Sequence, residues 1–556
     1  MKENIIKTEC AVIGGGFAGC TAALELADAG KKVFLYVKGK LLEDCSSYLV
    51  AGGLAAVPVK EKKVLGGDSF RLHIKETLKA GKYLNDVSIV EYCVEHFYED
   101  VILWLAKKGV RFDGPGKAGY EYDLHQEGGH SKHRIFHIKD FTGHNIMEVM
   151  TEKIKKHPNI KVFQNHMAID IVTKNKLSGK KGKDALLGVY IYDAENDSIK
   201  AVAPKALFLS TGGIGKVFMY TSNPDIATGD GFAMCYRAGL ALANMEFVQF
   251  HPTVFYDPLA GSEFSRRFLL TEALRGAGAF LKLFKDSKED FVKKYDPLGS
   301  KSTRDVVTGA EDIEMRKHGL NYVWLDCTKI DAKKIKSNFK NSYDFCLSKG
   351  IDMTKEPVPV VYAEHYSNGG VVTDKNGATE VAGLYVIGET SYTGLHGATR
   401  LASNSAPECV LFGRLAAAAY IAGGKQGEEG LPAWRTGGAR KIKDLATIGY
   451  YWETVRRTMT SLCGVSRNEE RLTAAKEVLS SLSNNIKNFY WYYRITKEFL
   501  EVRNIATVAS IIIESALARK ESRACHFRED YPKELKAFKR ITIIKKKQKV
   551  LTKKTG

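Results

Sequence analysis

The sequence predicts an α/β fold: a Rossmann-like dinucleotide-binding domain in two pieces, an inserted α+β capping domain, and a C-terminal helical domain. Three observations predict it. Residues 8–37, TECAVIGGGFAGCTAALELADAGKKVFLYV, read as strand, glycine turn, helix and strand. Residues 383–405, GLYVIGETSYTGLHGATRLASNS, run an apolar strand into a loop of glycine and small residues that carries His396 and Arg400. A mixed segment rich in polar residues separates these two pieces, and from about residue 437 glycine becomes sparse and helical periodicity dominates.

In chain order, Ala11 to Ile13 end a buried strand and Gly14-x-Gly16-x-x-Gly19 makes the turn. Residues 20–29 read as a helix and Val33 to Tyr36 as the next strand. The glycines permit close backbone approach, and the helix N-terminus suits a pyrophosphate. The second strand ends in Val37 and Lys38 instead of a carboxylate for a ribose hydroxyl, which argues against NAD. Residues 85–110 have helical spacing, with Val94, Phe97, Val101 and Leu105 apolar. KNKLSGKKGKD at 174–184 reads as a polar hairpin or loop between strands at 160–173 and 186–192. Ala206 to Ser210 form a short strand leading into Thr211-Gly212-Gly213, and residues 228–239 open a helix with Asp230 at its start. Leu384 to Ile387 run into Gly388-Glu389, and residues 466–499 and 503–520 read as long amphipathic helices. No internal repeat is visible.

Composition sets bounds. A chain of 556 residues supports two to four domains, and 44% hydrophobic with 26% charged residues is ordinary for a globular protein. No apolar run reaches the roughly 18 residues of a membrane span. MKENIIKTEC enters the first strand directly, without room for a signal peptide, so a cytoplasmic location is expected. The ten cysteines show no CxxC or other metal-type spacing; buried or free thiols are expected, with no iron–sulfur, zinc or other metal site. The net charge is +19, and part of it lies in the tail after Pro532, expected to be solvated and partly disordered. Without interleaved aromatics, that tail does not indicate nucleic-acid binding; a positive field also attracts small dicarboxylates.

The motifs IGGGFAG, SSYLVAGGLAAV, HQEGGHS, FVQFHPT, LLTEALRG, TRDVV, EHYSNGG, IGETSYTGLHGATRLASNS and ARKESRACHF occur in this order from about residue 8 to 532. In these the chain resembles the L-aspartate oxidases, flavoproteins of the succinate dehydrogenase/fumarate reductase superfamily. Asn368 and Pro407 depart from the usual family residues, and Ala277 stands where RGEG would place a glutamate. The resemblance implies an FAD-binding domain at 1–244 and 367–436, a capping domain at 245–366, and a helical domain with a basic tail at 437–556. FAD is the implied cofactor. Gly14, Gly15, Gly16, Phe17, Ala18 and Gly19 would meet its pyrophosphate; Ser46, Ser47, Gly52 and Gly53 would line the flavin side. Glu389, Asn404, Ser405 and Ala406 would hold the ribityl chain and ring, with Lys38 and Asp230 as further contacts. Ser46 replaces the histidine that links FAD covalently in membrane-bound relatives, so the FAD is expected to be non-covalent.

A four-carbon dicarboxylate needs two clusters of cations or donors a few ångströms apart. The resemblance places His251 and Thr271 at one end and His365 and Arg400 at the other. It makes Arg304 the proton donor and acceptor, with Glu272 and Arg275 as its relay, and Glu127 the partner of the α-ammonium. The implied reaction is oxidation of L-aspartate to iminoaspartate, with dioxygen or fumarate as acceptor, giving hydrogen peroxide or succinate. In the family, iminoaspartate passes to quinolinate synthase in NAD biosynthesis. Glu127 and ARKESRACHF argue against the alternative of a soluble fumarate reductase or succinate dehydrogenase flavoprotein, and Ser46 against a subunit of a membrane complex. A non-catalytic nucleotide-binding or nucleic-acid-associated protein is the reading from another class.

Overall fold

The computed structural model describes residues 5–554 except 61–62, 65–66, 115–121, 181, 258–266 and 443. The strand Ile6–Ile13 lies mid-sheet, parallel to Val33–Tyr36 on one side and to Ser198–Leu209 on the other. Ile160–Phe163 extends the sheet beyond Val33–Tyr36, again parallel. Ser198–Leu209 also takes Leu384–Val386 parallel and Asp184–Asp193 antiparallel, with His166–Thr173 beyond. The late strand Leu384–Val386 therefore joins the same sheet, one strand removed from the first.

Alternation along these strands makes the layers. Ala11, Ile13, Leu207 and Leu209 face one core, which continues into the inserted segment and the C-terminal helices. Cys10, Val12, Ala206 and Phe208 face the other, covered by the helices Phe17–Asp28 and Ser405–Ile421. The helix expected at 85–110 is Val87–His96, a π-helical stretch Phe97–Ile102, and Leu103–Lys107; Val94, Phe97, Val101 and Leu105 are all buried.

The inserted segment forms its own antiparallel sheet, in the order Val248–Phe255, Val358–Ser367, Val323–Asp326, Phe280–Lys282. The helix Arg304–His318 packs against the first of these strands. The C-terminal region has three long helices, Ala446–Leu462, Glu469–Tyr492 and Lys497–Ala518. The break between the last two falls earlier than the periodicity suggests, because Thr496 caps the new helix through the Phe499 N–H at 3.3 Å.

Two expectations need correction. Residues 174–184 are not simply a loop: Lys174–Ser178 form one helical turn, capped by the Thr173 side chain and ended by Gly179 at φ 70°. The basic tail is not a loose solvated end. Ile541–Ile544 pairs with Leu242–Ala243, and Leu551–Lys553 pairs with Ile541–Ile544 in turn. Thr542 and Ile544 are buried beneath the lysines, and Arg519 and Asn244 both bond Thr542. All ten cysteines are free thiols. Among the described residues, no helix is long and apolar enough to cross a membrane.

Candidate active site

The turn after Ile6–Ile13 is shaped for a ligand. Gly14 has φ +112°, and a Cβ there would lie 2.1 Å from the Ser210 carbonyl oxygen; only glycine fits. The helix Phe17–Asp28 begins with Gly16 as its cap, without a capping side-chain bond or an acidic residue in its first turn. Phe17 N–H donates to Ser47 Oγ at 2.9 Å; the remaining N-terminal amides suit an anion. Phe17 and Ala18 bury their side chains in the core, so they meet the cleft through backbone. The adjoining cleft is lined by Gly14, Gly15, Lys38, Met167, Thr211 and Asp230. Ser46 Oγ donates to Asn223 Oδ1 at 3.4 Å.

Lys38 is tied down within that cleft. Its Nζ lies 3.0 Å from Asp230 and 2.8 Å from Glu501, and donates to Thr228 Oγ1 at 2.6 Å. Desolvation opposes its charge, but the two carboxylates outweigh that and raise its pKa. Lys38 thus joins the nucleotide domain to the helix Lys497–Ala518. Lys38→Met leaves Thr228 and Asn504 bonding Asp230 but strands Glu501. A loss of about 1–3 kcal/mol is expected, read as a lowered thermal midpoint.

Glu389 stands at the end of the returning strand. A Cβ on Gly213 would lie 2.3 Å from Glu389 Oε1, so the carboxyl is pressed against the Thr211-Gly212-Gly213 turn. Its Oε1 accepts from Ser367 N–H at 3.0 Å, and desolvation raises its pKa to about 7. Folding favours the protonated form, so this group's contribution to apoprotein stability is full below the ordinary carboxylate range and is lost as pH rises through about 7. A ligand hydroxyl bonds more strongly to the ionised carboxylate than to the neutral acid, so cofactor affinity moves the opposite way. FAD affinity is expected to weaken by up to about tenfold per pH unit below the Glu389 pKa. Fluorescence titration of the apoprotein checks this, and Glu389→Gln should flatten the dependence.

One cofactor expectation changes. The Asn404 side chain turns away from the cleft: its Oδ1 meets His73 Nε2 at 3.0 Å and its Nδ2 donates to Thr77 Oγ1 at 3.1 Å. Only its backbone, at the cap of Ser405–Ile421, is left to face a ligand. Ser405 Oγ accepts from Arg400 Nη1 at 3.2 Å, and Ala406 is buried behind it.

A polar cluster lies between the cap strand Val248–Phe255 and the loop before Ser405. Arg304, first residue of its helix, donates from Nε to Glu272 Oε2 at 2.6 Å. Gln249 Oε1 accepts from Arg304 Nη1 at 3.4 Å and from Arg400 Nη2 at 3.2 Å, so one oxygen joins the two guanidiniums. Gln249 Nε2 donates to Thr399 Oγ1 at 2.7 Å and to the Arg400 carbonyl at 3.1 Å, which fixes the direction of the amide. Arg400 lies 4.6 Å over the Tyr366 ring. Glu127 Oε2 accepts from Ser403 Oγ at 2.5 Å, and Ser403 holds φ 57°. A Cβ on Gly128 would lie 2.6 Å from Glu272 Oε1, so the Glu127 loop rests against Glu272. Burial raises the Glu127 pKa and Glu272 adds to it; the Ser403 bond, Arg304 and Arg400 oppose the rise.

Glu272 also lies 3.5 Å from Arg275 Nη2, and Arg275 Nη1 donates to the Ser300 carbonyl at 2.6 Å. The carboxylate therefore stands between two guanidiniums. His251 and His365 face each other with ring centroids 5.5 Å apart. Burial, then Arg304, pushes both well below the usual imidazole range, so they enter as neutral groups and the positive charge rests on the arginines. His251 Nδ1 accepts from Thr253 N–H at 3.3 Å, which places its proton on Nε2. Ser222 Oγ holds His365 Nδ1 at 2.7 Å. Thr271 Oγ1 accepts from Ala273 N–H at 3.3 Å and keeps its own proton to donate.

Sequence reasoning did not single out Gln249, Ser403 or Ser222. Gln249 stood in plain view in FVQFHPT, a polar residue midway along a buried strand, and Ser403 in the RLASNS end of its motif; Ser222 lay outside the quoted motifs. ARKESRACHF turns out to support the pocket from behind. Arg519 is fully buried against Glu246 at 2.5 Å and Glu521 at 2.9 Å, and Cys525 Sγ donates to Thr399 Oγ1 at 3.0 Å.

A doubly wound nucleotide domain with a glycine-turn cleft and a polar cluster joining two arginines fits the class of FAD-dependent oxidoreductases. The FAD binding domain family matches residues 9–406, and the fumarate reductase flavoprotein C-terminal family matches residues 452–554. The chain is 41% identical over 529 residues to L-aspartate oxidase 1 of Ralstonia nicotianae, covering 95% of this chain and 96% of that one. It is 40% identical to the L-aspartate oxidase of Pseudomonas aeruginosa, over 94% and 95% of the two chains. Among solved structures, E. coli quinol fumarate reductase FrdA matches with a TM-score of 0.84 at 26% identity, over 99% of this chain and 97% of that one. The chain belongs to the L-aspartate oxidase family.

Proposed function

We propose that this chain oxidises L-aspartate to iminoaspartate. The observation that carries the reading is Glu127, a half-buried carboxylate set among Arg304, Arg400 and Glu272. An ammonium group gains from such an anion; succinate, with no ammonium, meets only repulsion.

In this reading Arg400 and His365 bind one substrate carboxylate, and His251 and Thr271 bind the other. Glu127 orients the α-ammonium. FAD, held non-covalently by the glycine turn, Ser46, Ser47 and Glu389, would supply the acceptor for the hydride leaving Cα. As Cα loses hydride, the nitrogen gives up one proton to form the iminium, and Glu127, with its raised pKa, is suited to take it. In the reverse sense, with fumarate, Arg304 gives a proton to the alkene carbon that receives no hydride. Arginine holds its proton tightly, and Glu272 at 2.6 Å, backed by Arg275, is positioned to replace it at once. Dioxygen and fumarate are the proposed acceptors, quinolinate synthase the proposed recipient of the product, and the cytoplasm the proposed location. The proposed division is 1–244 with 367–436 for FAD, 245–366 for the cap and 437–556 for the helical domain.

The test is product analysis. With L-aspartate in air, the holoenzyme should yield hydrogen peroxide together with oxaloacetate and ammonia, the hydrolysis products of iminoaspartate. With fumarate under argon it should yield succinate in place of peroxide. Absence of ammonia in both would refute the reading.

A further inference from the structure

We propose that Asp123, His125 and His137 form a binding site for a divalent transition-metal cation of the zinc class, on the hairpin that carries Glu127. The strand register creates the site. In the antiparallel pair Leu124–His125 and Ile135–Phe136, Leu124 is opposite Phe136 and His125 opposite Ile135. Asp123 and His137 flank this pair at the same end, each bonded to the Asp113 backbone: Asp123 N–H donates to the Asp113 carbonyl at 2.8 Å, and Asp113 N–H donates to the His137 carbonyl at 2.9 Å. One donor atom from each of the three residues lies within 4.8 Å of the other two.

A second observation points to a ligand. His137 is only 3% exposed, yet neither ring nitrogen has a hydrogen-bond partner. Its Nδ1 lies 3.3 Å from Asp113 Oδ2 without an aligned bond, and that oxygen already accepts from Lys139 N–H at 2.6 Å. The His125 ring stacks on the His137 ring at 3.5 Å and 22°. A buried imidazole without partners is costly, and a metal ion relieves that cost. The charged and titratable groups facing His125 are His137, Asp123, His133 and Asp113.

Two imidazoles and one carboxylate suit zinc, with an open fourth position; magnesium and calcium prefer oxygen donors. Zinc–nitrogen bonds of about 2.0–2.1 Å in a tetrahedron bring donors to roughly 3.3 Å apart. The closure falls to Asp123 and His125, both exposed. The hairpin between the ligands holds Gln126-Glu127-Gly128-Gly129-His130, so an ion here would fasten the base of the Glu127 loop. Cysteine and histidine spacing gave no hint, because only the folded hairpin brings Asp123 near His137.

Calorimetric titration of the holoenzyme with zinc chloride tests the site, alongside His125→Ala and Asp123→Asn, which alter exposed side chains. The wild type should bind one equivalent, and each variant should bind at least about tenfold more weakly. Magnesium chloride should produce no comparable binding. Zinc should raise the thermal midpoint of the wild type and leave that of His125→Ala unchanged. Equal zinc binding by wild type and His125→Ala, or no stoichiometric binding by the wild type, would overturn the proposal. The assay reads metal binding and not turnover, so it is independent of the aspartate reading.

Discussion

Arg304→Ala is expected to lower fumarate reduction by about 10²–10⁴-fold in kcat, the range for removing a positioned proton donor. Arg304 bonds Glu272 and Gln249 on the cap side, so FAD content should be unchanged. Arg304→Lys keeps the charge but loses the fork that meets Glu272 and Gln249 together, and it should recover only part of the rate. Steady-state assays at saturating fumarate, with flavin quantified by absorbance, make the comparison. A variant that kept full fumarate reduction would remove Arg304 from the chemistry and leave it a cap salt bridge.

Glu127→Gln separates the two substrates. Glutamine keeps a carbonyl oxygen for Ser403 Oγ, so the loop contact survives. What disappears is the base that takes the nitrogen's proton and the charge that meets the ammonium, the latter alone a charge-assisted bond of about 1.5–3 kcal/mol. That corresponds to about 10–100-fold in kcat/KM for L-aspartate. Fumarate reduction should change little or improve, because the pocket loses an anion that repels dicarboxylates. Equal losses in both assays would mean that Glu127 only supports the loop.

Much of this was legible in the chain, for definite reasons. Val33–Tyr36 is a strand where the sequence reading places it, because a short apolar run between charged ends permits little else. The glycine turn showed itself because Gly14 needs a positive φ that other residues rarely adopt. Ile541–Ile544 did not show itself. Its alternating burial spans four residues, followed directly by a run of lysines, and its partner strand lies some three hundred residues earlier. Asn404 was assigned to the flavin from its motif, but a motif does not record which way an amide points, and His73 and Thr77 hold it elsewhere. Gln249 illustrates the converse. Its residue type was visible, yet its place between Arg304 and Arg400 depends on the cap strand meeting the 399–405 loop, a contact that local sequence does not encode.

The central claim is that Arg304, Arg400 and Glu127 address one substrate, and that the substrate is an amino acid. An anaerobic absorption spectrum of the holoenzyme tests it most directly. L-Aspartate should bleach the oxidised flavin bands, while succinate at the same concentration leaves them in place. Bleaching by succinate with none by aspartate would contradict the account.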